Sequence, residues 1–445
     1  MCEALGRTET LPVITERVDA MPWLLAPLEG MDVPAVLDEY FPTHGKWTGL
    51  RLGWVAGVWL AHILSEADQR LHHVQTWAAR RLDTRHRGTG LPAGARDFSD
   101  ERLAHGLRSL SEDGAWRAFE SRLTQPLLRV YALRVERVRL DRTSASGYGA
   151  VPPEGLFPVG PSQERRPDLP PVTVLLATLA PLGLPIAPDV LPGPRAAAPL
   201  YRPAIARVRE RLRSPGLLYV GDCQMAAVET RACLQAGGAC SLCPVSPRQR
   251  PAAVLQASLA PVWAGAQAWT WITRERAEGP RERLAEGYER VATQTAVSAG
   301  QPRTWPERRL VVRSLHQGQA GAAALRARLA QAQAGGAALN ERGRGKARFT
   351  AVEPLCQAGA AVWQRYRVHG LLRVDDEEHS QERRVRGYRG RPARGRVEHA
   401  VPVNTPGDEA ALEAAVRRLG WRGSATKQPA AHLSLSQAVL AYRSE

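Results

Sequence analysis

The order of apolar segments between residues 133 and 245 restricts the fold of this chain more than any other feature of its sequence. Three segments of strand length come first, followed by a helical pattern, a fourth strand, a second helical pattern and a fifth strand. Gly, Pro or Asp bounds the strand segments. The strands are predicted at 135–140, 172–179, 183–191, 217–220 and 240–245, and the helices at 204–212 and 225–234.

This order predicts a mixed sheet. Three successive strands can pair as an antiparallel meander, and strands that follow helical crossovers are added parallel to a neighbour. That is the order of an RNase H-like core. We therefore predict an α/β fold with an RNase H-like mixed sheet over residues 133–245.

The segments on either side have other patterns. Residues 1–132 are predicted as a helical N-terminal domain, in which Asp32 caps a helix over 33–40 and a second helix covers 54–71. Trp116, Phe119, Leu123 and Leu127 are spaced as one buried helical face. Two interpretations stay open: a helical domain that buries its own core, and a domain that binds DNA ends.

Residues 246–430 are predicted as a mostly β insertion before the final helix. Strand candidates are 268–273, 309–313 and 366–374, and an Ala-rich helix is expected over 317–339. Residues 431–445 are predicted as the start of the final core helix, which is cut off at Glu445.

Composition favours a polyanionic partner. The net charge is +16, from 60 basic and 44 acidic residues, although only three of the basic residues are lysines. The arginine bias is typical of GC-rich coding, but the excess of basic over acidic residues still favours nucleic acid. The N-terminus lacks the apolar core of a signal peptide, and the longest apolar run, 52–64, is shorter than the about 20 residues of a membrane span. We therefore expect a cytoplasmic protein with no membrane partner.

Asp141 and Asp222 are the candidate catalytic and metal-binding residues. Each follows a predicted buried strand, so the two carboxylates are placed to bind Mg²⁺ or Mn²⁺ through oxygen. Two such ions would support phosphodiester cleavage. The alternative is that each aspartate only caps a strand or the next helix. A phosphoaspartyl mechanism is disfavoured, because Thr143 stands where enzymes of the haloacid-dehalogenase type have a second aspartate.

Other motifs carry weaker signals. Cys240 and Cys243 form a CxxC pair, but no second pair follows at the spacing of a zinc site. Arg165 and Arg166, and the segment 342–346, could contact phosphates or lie in solvated loops.

Several motifs in order resemble the DDE transposases of bacterial insertion sequences, in the branch with a large β insertion before the last acid. The resemblance extends over nearly the whole chain. The motifs are Phe41-Pro-Thr-His-Gly45, Asp141-Arg-Thr-Ser-Ala-Ser-Gly-Tyr148, Arg166-Pro-Asp-Leu169, Leu182-Gly-Leu-Pro185, Leu218-Tyr-Val-Gly-Asp222, Glu229-Thr-Arg231, Leu242-Cys-Pro244, Glu307-Arg-Arg-Leu-Val-Val-Arg-Ser314 and Ala438-Val-Leu-Ala-Tyr-Arg443.

The resemblance implies Mg²⁺-dependent cut-and-paste transposition, with Asp141 and Asp222 as the first two catalytic acids. It implies that DNA is the partner, both as element ends and as target, and that a homodimer is the working form. Arg165, Arg166, Tyr442 and Arg443 would contact DNA.

The third acid of such proteins is a glutamate in a Tyr-Arg-Glu-Lys signature on the final helix. Tyr442 fits the tyrosine, and the glutamate is expected about four residues past Glu445. Further departures, which are Arg142, Gln163, Pro194 and Ala197, also favour a truncated or decaying copy with little or no cleavage activity. Two alternatives stay open: a non-catalytic DNA-binding relic that occupies element ends, and a nuclease that uses Glu377 or Glu378 as its third acid.

Overall fold

The computed structural model describes most of the chain. The described residues are 15–90, 92, 94–147, 168–193, 196, 198–276, 278–298, 300–339, 341, 352–372, 379–385, 392, 394–400 and 409–443. They divide into two compact units, Met1–Leu217 and Leu218–Glu445. Arg165, Arg166, Glu377, Glu378, Glu445 and the segment 342–346 lie outside the described residues.

The first unit begins with seven helices in the described part of the chain. They are α1 (Met21–Gly30), α2 (Val33–Tyr40), α3 (Leu52–Glu66), α4 (Leu71–Ala79), α5 (Leu82–Thr89), α6 (Asp100–Leu110) and α7 (Asp113–Val130). A 3₁₀ turn, Ala95–Phe98, precedes α6. Two apolar clusters hold these helices together, one around Val58, Trp77 and Phe98, and one around Phe41 and Phe119.

Two predictions about these helices need correction. The helix predicted over 54–71 ends at Glu66, because Ala67 adopts a left-handed φ of 52° and Asp68 accepts a hydrogen bond from the Arg70 N–H at 3.0 Å, and α4 starts anew at Leu71. The α2 helix has the predicted bounds. Asp32, however, makes no side-chain cap, since its own φ is 59°.

A three-stranded meander and one helix complete the first unit. The strands β1 (Arg137–Ser146), β2 (Pro171–Leu179) and β3 (Leu184–Pro192) pair antiparallel, with Asp141 opposite Leu176. Helix α8 (Tyr201–Leu212) follows a short 3₁₀ turn, Ala198–Leu200.

The second unit contains the parallel pair β4 (Leu218–Gly221) and β5 (Cys240–Pro244), joined by α9 (Val228–Ala236). The elements after β5 are α10 (Ala252–Trp263), β6 (Thr270–Arg274), β7 (Glu282–Ser298), β8 (Gln301–Ser314), α11 (Leu315–Leu339), α12 (Val352–Tyr366), β9 (His379–Val385), β10 (Arg394–Ala400), α13 (Glu409–Arg417), β11 (Trp421–Thr426) and α14 (Leu435–Arg443).

Strand β11 pairs antiparallel with both β5 and β8, and β9 and β10 form a separate hairpin. Apolar residues of α14, β4, β5 and β8 form one cluster, which contains Leu218, Leu242, Leu310 and Ala438. The described part of 246–430 therefore contains helices, one of them 25 residues long, as well as strands.

In the first unit the strands have the order β3-β2-β1, and in the second unit they have the order β4-β5-β11-β8-β7-β6. Each unit contains part of the predicted RNase H-like pattern: β1, β2 and β3 are antiparallel in the first, and β4 is parallel to β5 in the second. The predicted fold class, a mixed α/β sheet preceded by a helical N-terminal region, is confirmed. The predicted boundaries near 132, 245 and 430 stay predictions.

One strand prediction is wrong. The sequence pattern predicts a strand over 366–374, but Tyr366 ends α12, and the described residues after it form turns. Arg367 and Gly370 have φ values of 54° and 78°. Backbone with positive φ cannot continue an extended strand, so the apolar residues Leu371 and Leu372 pack instead in the cluster around α11.

Candidate metal centre

Asp141 lies in the middle of β1, which corrects the prediction that it ends the strand. Val138 and Leu140 are buried, whereas Asp141, Thr143 and Ala145 are exposed. The ladder to β2 continues to the pair formed by Ser146 and Pro171. Burial therefore ends at Leu140 while strand pairing continues, and the carboxylate of Asp141 is held on regular backbone and is open to solvent.

Asp222 follows the last residue of β4, as the sequence predicts. All four residues of β4 are buried, and the strand is parallel to β5. One carboxylate oxygen, Oδ1, accepts hydrogen bonds from the backbone N–H groups of Gln224 (2.9 Å) and Met225 (3.2 Å). These bonds fix the direction of the carboxylate at the carboxyl end of a buried parallel strand, an edge of α/β sheets where ligands commonly bind.

The turn that carries Asp222 is itself anchored. The carbonyl oxygen of Ala226 accepts hydrogen bonds from Arg231 Nε at 3.0 Å and from Gln249 Nε2 at 2.8 Å. Arg231 Nη1 also donates to Glu307 Oε1, and both side chains are almost fully buried. Arg309 Nη2 lies 2.7 Å from the other oxygen of Glu307. The two bonds to Ala226 restrict the movement of the segment between Asp222 and α9.

The contact between Arg231 and Glu307 was not predicted, although both residues belong to motifs that carry the resemblance. Arg231 comes from α9 and Glu307 from β8, and 76 positions separate them. A buried charge needs a partner of opposite sign. That rule requires some acid near Arg231 but does not identify which one.

The chemistry of the two aspartates fits the predicted metal. Carboxylate oxygens are the ligands that Mg²⁺ and Mn²⁺ prefer. The exposed carboxylate of Asp141 has a hydrogen bond from the Arg142 N–H to Oδ1 at 2.8 Å. In the described part of the chain, no group of three or more His, Cys, Asp or Glu side chains is placed to hold a metal ion.

Cys240 and Cys243 do not form a metal site with each other. Both lie on β5 and are buried, and residues three apart on a strand point to opposite faces. Burial raises the pKa of both thiols, that of Cys243 to about 12. The protonated thiol is a poor metal ligand.

Tyr442 and Arg443 lie on α14, in the second unit. Both line a cavity of about 290 Å³ together with residues of β5, β8 and β11. Arg443 donates from Nη1 to the carbonyl oxygen of Leu284 at 3.4 Å and from Nη2 to Ser314 Oγ. Burial lowers the pKa of its guanidinium. The predicted DNA contact of Arg443 thus involves a group that already has two acceptors within the protein.

No protein-family model matches the sequence, and no curated protein matches it. Among solved structures, a piggyBac transposase synaptic complex with hairpin DNA is similar at 12% identity and a TM-score of 0.28, covering 67% of this chain and 58% of that one. The alignment with the Mos1 strand transfer complex has 12% identity and a TM-score of 0.16. It covers 51% of this chain and 77% of the Mos1 chain. The alignment with the Mos1 paired-end complex that holds the left transposon end has 12% identity and a TM-score of 0.18. It covers 56% of this chain and 84% of the Mos1 chain.

The chain therefore spans less than two thirds of the piggyBac chain. TM-scores this low carry no argument about the present protein. Among the described helices, none has both the length and the hydropathy needed to cross a bilayer.

Proposed function

We propose that this protein binds DNA and catalyses metal-dependent cleavage and strand transfer at the ends of a mobile element, as a DDE transposase of the insertion-sequence type. The departures at Arg142, Gln163, Pro194 and Ala197 predict that its cleavage activity is weak. Asp141 and Asp222 would bind Mg²⁺ or Mn²⁺. The observations that carry the proposal are the placement of each aspartate within its own unit: Asp141 has an exposed carboxylate on β1, and Asp222 directly follows the buried strand β4.

A divalent ion, when bound, would activate a water or a 3′-hydroxyl as the nucleophile and would neutralise the negative charge on the leaving oxygen. The residues of this chain contribute position. Asp141 offers a solvent-accessible carboxylate on regular strand backbone, and two backbone N–H groups orient the carboxylate of Asp222. The working form is proposed to be a homodimer that holds two element ends.

The test uses the DNA that flanks the gene, with its terminal inverted repeats as the substrate. Strand nicking by the wild-type protein in Mg²⁺ is compared with nicking by Asp141→Asn and Asp222→Asn, which keep side-chain size but remove the charge. The proposal expects nicking that chelation of Mg²⁺ abolishes, and its loss in both variants. Nicking that survives either substitution would refute the assigned site.

A second candidate is end-specific DNA binding without cleavage. The chain has 60 basic and 44 acidic residues, and this excess of positive charge favours such binding, because basic side chains can bind phosphates without a metal ion. Asp222→Asn separates the two functions. For a binder the substitution leaves DNA affinity nearly unchanged and wild-type protein does not cut, whereas for the enzyme it removes cutting.

A further inference from the structure

A cationic cleft lies in the first unit where α7 faces α8. Its volume is about 610 Å³. Five arginines and one glutamate are the charged residues among the described side chains that line it: Arg117, Arg122, Arg207, Arg211, Arg213 and Glu210. Neither Asp141 nor Asp222 is among the described residues that line the cleft, and no sequence motif indicates it.

Two of the five arginines hold the unit together. Arg207 forms an ion pair with Asp189 and donates to the carbonyl oxygen of Pro188 at 3.1 Å. Arg211 is buried, bonds to the carbonyl oxygen of Ile186 and pairs with Glu120. These bonds join α8 to β3 and α7. The charge of both arginines is therefore balanced by protein carboxylates.

The other three arginines are exposed. Arg117 and Arg122 extend from α7, and Arg213 immediately follows α8. In the described part of the chain none of them forms an ion pair, although the positive charge of Arg117 acts on the carboxylate of Asp189. Arg213 has a φ of 49°, a left-handed backbone conformation that glycine adopts more easily than arginine at a helix C-terminus.

The wall formed by α7 also carries Gly114, Ala118 and Ser121. These small side chains leave the neighbouring guanidinium groups accessible. Protein partners usually dock through several large buried apolar anchors, whereas Tyr40 is the single aromatic residue among the described residues that line the cleft. An arginine fork matches the two oxygens of a phosphate and stays charged at any physiological pH. The chemistry of the cleft thus fits the sugar–phosphate backbone of nucleic acid.

We propose that this cleft binds the phosphodiester backbone of duplex DNA, without reading its sequence, through Arg117, Arg122 and Arg213. The proposal rests on the DNA-binding part of the proposed function but not on the metal chemistry. Contacts of this kind position a protein on DNA rather than specify a base sequence.

The salt dependence of DNA binding tests it. Affinity for a short fluorescent duplex of arbitrary sequence is measured by anisotropy at several salt concentrations, with a chelator present so that no cleavage occurs. Each lost phosphate contact lowers the slope of log K against log salt by about 0.9. The triple variant R117Q/R122Q/R213Q is therefore expected to lose up to roughly 3 units of slope.

The matched control removes three other exposed arginines of the same unit, R108Q/R129Q/R202Q, and so loses the same charge outside the cleft. It should keep most of the slope, and R117K/R122K/R213K, which keeps the charge in the cleft, should keep it too. Circular dichroism and thermal unfolding confirm that each variant is folded. Equal losses of slope in the cleft and control variants, or an unchanged slope in the cleft variant, would overturn the proposal.

The outcome is separable from that of the proposed function. If Asp141→Asn and Asp222→Asn abolish cleavage while the cleft variant keeps its slope, the transposase function stands and the cleft proposal fails. If the cleft variant loses slope and wild-type protein never cuts its flanking DNA, the cleft proposal stands and the proposed chemistry fails.

Discussion

Arg231 and Glu307 form an ion pair whose side chains are only 2% and 1% exposed, although 76 positions separate the residues in the sequence. Arg231 also donates to the carbonyl oxygen of Ala226, in the turn that follows Asp222. The pair therefore joins α9 to β8 and supports the backbone next to a candidate metal ligand. Its importance for stability can be measured.

Removal of one partner of this pair should be strongly destabilising, because a charge is left buried without compensation. We expect Arg231→Met or Glu307→Gln to lower the free energy of unfolding by about 3–5 kcal/mol, measured by urea denaturation. The double variant R231M/E307Q should lose less than the sum of the two single losses. The exposed pair Arg417–Glu413 provides the control, and Glu413→Gln should cost at most about 1 kcal/mol. Single variants no less stable than this control would contradict the prediction.

Two glycines of α3 should respond in opposite directions to alanine. A Cβ on Gly53 would lie 2.0 Å from the carbonyl oxygen of Pro34, a backbone atom that cannot move away by rotation. A Cβ on Gly57 would lie 3.6 Å from Leu28, an ordinary contact. Since alanine favours a helix over glycine by about 1 kcal/mol, Gly57→Ala should raise the unfolding temperature.

Gly53→Ala should lower the unfolding temperature, because overpacking costs typically about 1–3 kcal/mol and exceeds the gain in helix propensity. Scanning calorimetry of the two variants side by side checks both signs. A stabilised Gly53→Ala would mean that α2 and α3 separate without cost at this point.

Cysteine reactivity should differ sharply along the second unit. Burial raises the pKa of the Cys243 thiol to about 12, so very little of it is thiolate near pH 8. Cys223 is exposed. We expect iodoacetamide to alkylate Cys223 rapidly and Cys243 only after denaturation, as followed by peptide mass spectrometry. Comparable rates in the folded protein would show that β5 is accessible.

The start of α7 should be sensitive to acid. Glu112 caps this helix, and its carboxylate accepts hydrogen bonds from the Ala115 and Gly114 N–H groups, which hold its pKa below the ordinary value. A carboxyl group whose pKa is lower in the folded protein than in the unfolded chain stabilises the fold above its unfolded pKa of about 4.3. That contribution is lost as the pH falls through the lowered folded-state pKa.

Wild-type protein should therefore melt at a higher temperature than Glu112→Gln near neutral pH, and the difference should shrink as the pH falls below about 4.3. Glu278→Gln, an exposed carboxylate outside any helix, is the control and should show a nearly constant difference. A difference for Glu112→Gln that does not depend on pH would refute the capping role of the charge.

Local patterns in the sequence predicted β1 to β6 and the end of β8, at least in part, because strand length and bounding residues depend on nearby positions; they missed β7 and β11. The apolar run before Asp141 ends at Leu140, and the pattern therefore missed the exposed half of β1, which backbone pairing with β2 maintains. The sequence also did not predict the positive φ values at Ala67, Arg367 and Gly370, since alanine and arginine rarely adopt a positive φ.

The surroundings of the candidate site were less predictable than its aspartates. Asp222 could be placed because it adjoins its strand in the sequence. Its support by Arg231 and Glu307, and the grouping of Arg117 with Arg213, depend on contacts between residues far apart in the chain. No periodicity encodes such contacts.

Strand β11 has a consequence for the order in which the second unit assembles. It lies between β5 and β8 in the sheet, so the backbone hydrogen bonds that link the parallel pair to the strands β6–β8 run through it. Yet β11 is made after nearly all of the residues it connects. Since closing a long loop has an entropic cost that slows folding, the two halves of this part of the sheet can form early and separately. The parallel pair and the strands β6–β8 can therefore join into one sheet only after residues 421–426 have been synthesised.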